Sequence, residues 1–509
     1  MIPLTLAEIT AFTGGTLTAS PVLGNPVLGN PVLGNPVLGN PVLGDPATVG
    51  TDPSSVIVTG PVVIDSRQAT GGALFAALPG ERVDGHDFAA AAASAGAAAV
   101  LASRPLPDVA APVIVVPDVT IALGQLARAV LSRLPAATVV GITGSSGKTS
   151  TKDLTAQVVE RRGPTVAPEG SLNNEIGLPL TVLRADEATR YLILEMSARG
   201  IGHIAYLTGI APPRVAAVLN VGRAHAGEFG SIDAVAKAKG EIVEALPEAA
   251  AGGVAILNAD DPNVLGMASR TAARVVTFSA ANPGRSSTGG DADVRATDIR
   301  LDELGRASFH LLMADGGADV RLRLHGAHHV PNALAAAAVA AELGMGVAAI
   351  ADALSAATAR SKKRMEVHER ADGVLVVNDA YNANPDSTRA AIEALAHLTS
   401  GGRRGFAVLG YMAELGDIAE ESHAEAGRLA ALAGVTGLVA VGEQAAAVLT
   451  GARAQPGWRG EAISVPDPPA AIEALRNRLG PGDVVLVKAS KSAGLWEVAD
   501  GLLAEVGDR

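Results

Sequence analysis

The stretch Gly141-Ile-Thr-Gly-Ser-Ser-Gly-Lys-Thr149 restricts what this chain can fold into more than any other. Before it, Thr138 to Ile142 is short, apolar and β-branched, as a buried strand is; after it, Lys148 to Arg162 carries good helix formers without Gly or Pro. The pattern predicts strand, loop and helix. In such a turn Thr143, Gly144, Ser145, Ser146 and Gly147 bring backbone N–H groups to phosphate oxygens, the helix N-terminus attracts the anion, and Lys148 adds a positive charge. Thr149 is placed to hold Mg²⁺ through its hydroxyl. The usual phosphate-loop spacing puts a glycine where this chain has Ile142, and Gly141 and Gly144 flank that position instead. An ordinary glycine turn is the alternative reading.

At 509 residues the chain is too long for a single core, and a prior of ~150 residues per domain gives about three. A formal net charge of −12 argues against nucleic acid as a partner, while small anions at local basic sites stay possible. The absence of cysteine excludes disulfides, thiol nucleophiles and Cys-based zinc sites, leaving Mg²⁺ on oxygen ligands. The start MIPLTLAEIT lacks a basic segment followed by an apolar core, and the Ala-rich run from Ala89 to Ala102 is too short to span a bilayer. The expectation is a cytoplasmic protein without membrane insertion, acting as a monomer.

Five tandem pentapeptides, Pro-Val-Leu-Gly-Asn with a final Asp, run from Pro21 to Asp45. Proline and glycine at every fifth position oppose both helix and strand, so this reads as a surface insertion. Beyond it, strand-like text alternates with polar loops. Asp65-Ser66-Arg67 follows an apolar strand, where loops form binding sites or merely a surface turn with an ion pair; Gly85-His86-Asp87 lies in the next such loop. Strands at Ala98 to Leu101 and Val113 to Val116 complete a small α/β domain spanning residues 1–136.

The second domain, residues 137–358, opens with the phosphate loop. Its Leu-Asn-Asn174-Glu175-Ile-Gly run has the amide and carboxylate content of a binding loop. Tyr191-Leu-Ile-Leu is a strand ending in Glu195, where a second acidic ligand can meet a metal on Thr149. The strand Arg214 to Leu219 ends in Asn220, and His225 follows; a solitary histidine is more often structural. The helical run Ser231 to Leu246 carries Lys239 on what composition alone calls a solvated face. Strands at Val254 to Leu257 and Val275 to Phe278 continue the alternation and imply a mainly parallel sheet, before a β-rich excursion from Asn282 to Leu324. Asn332, at the start of an alanine-rich helix, is a cap or a nucleotide contact. Residues 359–509 form a third, Rossmann-like domain with strands at Val374 to Val377, Phe406 to Leu409, Leu438 to Val441 and Val484 to Val487. Arg364 precedes it, Asp379, Tyr381, Asn382 and Asn384 follow its first strand, and Lys488 and Ser490 follow its last.

In order and content these motifs resemble the Mur ligase family of ATP-dependent ligases in peptidoglycan synthesis, over nearly the whole chain. They are Gly-Ile-Thr-Gly-Ser-Ser-Gly-Lys-Thr, Glu195, Asn220 with His225, Ala-Lys239-Gly-Glu-Ile, Arg364-Met-Glu and Asn-Asp379-Ala-Tyr-Asn-Ala-Asn-Pro. Within the family, Leu-Asn-Asn-Glu-Ile-Gly, Asp-Ala-Tyr-Asn-Ala-Asn-Pro and Val-Leu-Gly-Tyr-Met-Ala-Glu414-Leu-Gly are similar to the branch that adds D-alanyl-D-alanine.

The resemblance implies a UDP-N-acetylmuramoyl-tripeptide substrate on the first domain, through Asp65, Ser66, Arg67, Gly85, His86 and Asp87. It implies ATP in the phosphate loop with Asn174, Glu175, Asn332, Arg364 and Asp379, and the dipeptide on Tyr381, Asn382, Asn384, Lys488 and Ser490. Two Mg²⁺ ions follow in the same way, one on Thr149 and Glu195, the other on His225 and a carbamoylated Lys239, with Lys148, Glu195, His225 and Lys239 as the catalytic set. His329 stands where the family usually has Asn, Thr388 where Met is common, and Tyr411 where Asp often follows Gly. A folate polyglutamate ligase would keep the central machinery, but the Asp-Ser-Arg and Asn-Ala-Asn-Pro runs argue against it. A phosphate-loop switch or kinase is the rival from another class, and its Asn-Lys-x-Asp guanine signature is absent.

Overall fold

The computed structural model describes residues 1–18, 52–80, 83–222, 229–281 and 292–504. The pentapeptide run and His225 therefore lie outside the described residues.

Met1–Ala136 and Glu175–Ala188 form one compact unit. Its first helix, Leu6–Thr13, starts on a reciprocal capping box between Thr5 and Glu8 and stops at Gly14, whose φ of 61° is left-handed. The main sheet runs Thr16–Thr18, Val113–Val115, Ala99–Ala102, Leu74–Ala76, Val62–Val63, all parallel except the first strand. Phe75, Val100, Ala92 and Val113 meet in its core. Gly177–Val182, a short helix carrying Leu178, Pro179 and Val182 inward, packs on the helix Val119–Ser132.

The second unit, Ala137–Asn174 with Thr189–Arg509, holds two sheets. The larger has nine strands among the described residues, in the order Gly316–His325, Arg306–Met313, Val294–Leu301, Arg274–Ser279, Val254–Asn258, Val215–Val218, Thr138–Thr143, Tyr191–Glu195, Thr165–Val166. Thr165–Val166 through Val294–Leu301 are parallel, and the β-rich excursion continues the same sheet as antiparallel edge strands. The smaller sheet runs Glu366–Glu369, Leu375–Asp379, Val484–Lys488, Gly405–Leu409, Gly437–Val441, Glu461–Val465, with only the first strand antiparallel. Runs such as Val484 to Val487 are wholly buried, as strands covered on both faces must be.

The helix His329–Glu342 is buried almost all round from Val330 to Ala340, and alanine at six of those positions lets it lie close against the phosphate-loop helix Lys148–Val159. Thr138–Thr143 is central, and the strands that follow it in sequence are laid down on both sides. The phosphate loop thus stands at the switch point of the sheet, at the carboxyl ends of the strands, where ligands of such folds bind.

Candidate active site

Parallel register places Glu195 beside Ile142 and Val218 beside Thr143, so three strands release their chains at one level. The loop between Thr143 and Lys148 is clamped by Asn220. Ser145 N–H donates to the Asn220 carbonyl at 3.0 Å, Ser146 N–H to its Oδ1 at 2.9 Å, and Asn220 Nδ2 donates back to the Ser146 carbonyl at 3.2 Å. Gly147 opens the helix with φ of 79°, and a Cβ there would stand 2.5 Å from Asn332 Oδ1. Only glycine meets both demands. Gly147→Ala adds ~1–2 kcal/mol of left-handed strain and displaces Asn332. It is expected to weaken nucleotide binding tenfold or more by titration calorimetry; unchanged affinity would separate this turn from the nucleotide.

Thr149 and Glu195, 2% and 1% exposed, join through the Thr149 hydroxyl, which donates to Glu195 Oε2 at 2.8 Å. Asn173 Nδ2 holds the other carboxylate oxygen at 2.6 Å. A hydroxyl and a carboxylate oxygen side by side fit a hard divalent cation, so this donor set suits Mg²⁺. Lys148 Nζ donates to the Gly144 carbonyl at 2.7 Å. Burial lowers its pKa, Glu195 opposes the shift, and Arg364 adds to it.

Lys239 sits on the helix Ile232–Glu244 and is 3% exposed. Burial, then the Lys148 cation, push its amine well below the usual lysine range. Its neighbours hold that helix in place. Gly240 leaves room for Arg270, whose guanidinium donates to the carbonyls of Ala236 and Lys237 at 3.0 and 2.8 Å. Glu241 accepts from the N–H groups of Gly202 and Ala205 at 2.6 and 2.9 Å, capping the helix His203–Ile210. Among the described residues Lys148 and Arg364 bring more positive charge to the loop than Glu195 offsets, as a triphosphate requires.

Arg364 lies over the Tyr381 ring at 4.3 Å, and its buried Nε has no hydrogen-bond partner among the described residues. The Tyr381 hydroxyl meets Ser171 Oγ at 2.6 Å. Asp379 accepts from Met365 N–H at 3.0 Å and pairs with buried Lys488, whose Nζ also donates to the Asn382 carbonyl at 3.0 Å. His328 and His329 lie nearby with ring centroids 4.3 Å apart. Burial takes His328 down to about 4, with Asp379 opposing and Lys488 assisting; burial, then the neighbouring His328 and His325, also lower His329 well below the usual histidine range, which favours the neutral ring in both. Thr388 Oγ1 donates to Met412 Sδ at 3.5 Å, and Tyr411 bonds Ser492.

Beyond Tyr381 a cavity of about 400 Å³ is lined by Asn382, Asn384, Glu414, Ser490, Lys491 and Trp496, among others. Asn384 caps the helix Pro385–Thr399, and Ser490 Oγ takes the Ala413 N–H at 2.9 Å.

In the first unit, Asp65 caps the short turn Ser66–Gln68 and pairs with exposed Arg67 at 2.6 Å, which holds its carboxyl down to about 2. Gly85 and Asp87 belong to the turn Gly85–Phe88, whereas His86 is buried with both ring nitrogens engaged, by Asp84 at 2.5 Å and by Ser103 N–H at 3.0 Å. Asn174 and Glu175 are exposed; the amide that reaches Glu195 belongs to their neighbour Asn173. The Asn220 clamp also escaped the sequence reading, although an amide closing an apolar strand beside the phosphate-loop strand was its visible signal.

The family model for the Mur ligase middle domain matches residues 142–340, that for the Mur ligase glutamate ligase domain 363–491, and that for the Mur ligase family catalytic domain 61–130. The chain is 50% identical over 484 residues to the UDP-N-acetylmuramoyl-tripeptide--D-alanyl-D-alanine ligase of Mycobacterium tuberculosis, covering 88% of this chain and 93% of that one. It is 40% identical over 448 residues to the enzyme of that name from Escherichia coli, covering 87% and 93%. A crystal structure of MurF from Acinetobacter baumannii superposes with a TM-score of 0.79 at 30% identity, covering 99% of both chains. MurF from Thermotoga maritima in complex with ADP gives 0.75 at 30% identity, covering 89% of this chain and 99% of that one. With a clamped phosphate loop, a buried Thr149–Glu195 pair and this extent of identity, the chain belongs to the Mur ligase family.

Proposed function

We infer that the chain joins D-alanyl-D-alanine to UDP-N-acetylmuramoyl-tripeptide at the expense of ATP, giving the pentapeptide precursor of peptidoglycan. The observation that carries this is the contact of the phosphate-loop Thr149 with Glu195, together with a buried Lys239 whose amine is pushed well below the usual lysine range. The curated relatives, half or two-fifths identical over most of their length, carry that activity in their names.

The tripeptide carboxylate attacks the γ-phosphorus of ATP, forming the C–O–P bond of an acyl phosphate as the bond to ADP breaks. Lys148 and the loop N–H groups offset the repulsion between the two anions. The dipeptide amine then attacks the acyl carbon, loses its proton, and inorganic phosphate leaves. Thr149 and Glu195 would hold one Mg²⁺, and His225 with a carbamoylated Lys239 a second; the ions supply charge neutralisation at the phosphates. Arg364, Asp379 and Asn332 meet the nucleotide, and the orphaned Nε of Arg364 is a donor left for it. The cavity beside Asn384 and Ser490 offers Glu414 and Lys491, opposite charges that suit the two ends of a zwitterionic dipeptide. Asp65, Ser66, Arg67, Gly85 and Asp87 serve the UDP-sugar. Residues 1–136, 137–358 and 359–509 then divide the labour between the UDP substrate, ATP and the amine, in a cytoplasmic monomer. No described helix is long and apolar enough to cross a membrane.

Phosphate release measured with UDP-N-acetylmuramoyl-tripeptide, D-alanyl-D-alanine and ATP, each omitted in turn, tests the reading. Pentapeptide is expected only when all three are present. Undiminished phosphate release without the UDP substrate would overturn it.

A further inference from the structure

The phosphate-loop helix does more than begin at the phosphates. Asp153, Gln157 and Glu160 fall at i, i+4 and i+7 along it and form one stripe. All three meet a segment some two hundred residues further along the chain. Gln157 and Thr358 exchange a reciprocal pair of hydrogen bonds, Nε2 to the Thr358 carbonyl at 2.9 Å and Thr358 N–H to Oε1 at 3.0 Å. Glu160 takes both arms of the Arg360 guanidinium, at 2.6 and 2.5 Å. Asp153 Oδ2 accepts the Ser361 N–H at 3.1 Å, while its other oxygen is held by Lys152, which is 1% exposed and also donates to the Pro168 carbonyl.

Three residues beyond Ser361 comes Arg364, between two non-glycine residues in left-handed conformation, Lys363 with φ of 62° and Met365 with φ of 49°. Such backbone persists only where its surroundings over-determine it. Here Lys363 N–H donates to Glu366 Oε2 at 3.0 Å, Met365 N–H to Asp379 Oδ1 at 3.0 Å, and Lys363 Nζ stands 3.9 Å from the Trp496 ring centre. The segment is thus pinned at both ends, by the phosphate-loop helix and by the third domain, with Arg364 in the strained centre.

We propose that Asp153, Gln157 and Glu160 are positioning residues for Arg364: by fixing Thr358 to Ser361 on the phosphate-loop helix, they set where this guanidinium stands relative to the triphosphate. The proposal rests on Arg364 as a nucleotide contact. A surface ion pair and an amide pair are weak contributors to folding, so their joint use on one helix face is better explained by geometry than by stability.

Steady-state kinetics and melting curves on the full chain test this with Gln157→Ala, Glu160→Arg, Arg360→Glu, the double swap Glu160→Arg/Arg360→Glu, and Arg364→Ala. Misplacing Arg364 is expected to raise KM for ATP about five- to tenfold in Gln157→Ala, Glu160→Arg and Arg360→Glu, with KM for D-alanyl-D-alanine and the melting temperature nearly unchanged. The double swap should return KM for ATP to within about twofold of the parent, and Gln157→Ala should add nothing once Arg364 is alanine. If Arg364→Ala raises KM for ATP while Gln157→Ala and the two charge reversals leave it unmoved, the positioning role is wrong. If Arg364→Ala itself leaves KM for ATP unmoved, the nucleotide reading of Arg364 fails first, and the positioning role with it. Equal rises in both KM values with a lowered melting temperature, unrelieved by the double swap, would mark a structural contact and overturn the proposal.

Discussion

Replacing Lys148 with alanine is expected to lower turnover by about three orders of magnitude or more. The ammonium is the one side-chain cation of the loop itself, and in the structure it is held 2.7 Å from the Gly144 carbonyl, a neutral acceptor that phosphate oxygens readily replace. Two anions must approach in the first step, and the loop N–H groups alone leave their repulsion largely unopposed. Arginine should not rescue the variant, because its planar fork is larger than the space the ammonium fills and cannot act as a compact point charge. The folded state should tolerate the change. Among the described residues Lys148 has no salt-bridge partner, and burial already disfavours its charge, so its removal strands none of their carboxylates. Phosphate release and thermal melting, measured together, check both statements. Wild-type turnover in Lys148→Ala would mean that the loop does not serve the reacting phosphate.

Why that lysine was legible is plain from its surroundings. Local chemistry marks it: a β-branched run, glycines, then helix formers. The same logic placed the strands Tyr191–Glu195, Val254–Asn258 and Val484–Lys488 to within a residue, since apolar runs covered on both faces have no other stable use. Glu461–Val465 went unread, because an edge strand with Glu461 and Ser464 exposed carries no apolar run. Contacts between distant segments were equally silent. Nothing in Gln157 announces Thr358, and nothing in His86 distinguishes a ligand from a ring buried between Asp84 and Ser103. That Asn173 reaches Glu195 was silent for a similar reason: adjacent amides differ only in the direction the folded loop gives them. Left-handed Lys363, Met365 and Glu414 are also invisible in sequence, since none has glycine's or asparagine's preference for that region.

Lys239→Ala is expected to lose about a hundredfold in activity and to recover part of it when acetate or formate is supplied. Composition assigned this lysine to a solvated helix face, yet it is 3% exposed and faces a second cation, Lys148, with no carboxylate of the described residues among the groups that shift it. Both influences favour the neutral amine. A neutral amine adds to CO₂, forming an N–C bond and releasing a proton, and the product is an anion with two oxygen donors. On the proposed reading that anion would reverse the local charge, offset Lys148 and serve as a hard-cation ligand, which a protonated lysine can never be. The pH dependence follows in sign. With its pKa lowered in the folded state, the ammonium is the disfavoured form, and acidification through that pKa protonates the amine and draws the carbamate back to CO₂. Activity should therefore fall on the acid side in the parent, and this limb should be missing from acetate-rescued Lys239→Ala, whose carboxylate titrates lower. Removing dissolved CO₂ should slow the parent and leave the rescued variant unaffected. Were Lys239→Ala fully active without added acid, the helix face would be structural after all, and charge compensation for Lys148 would have to come from ATP alone.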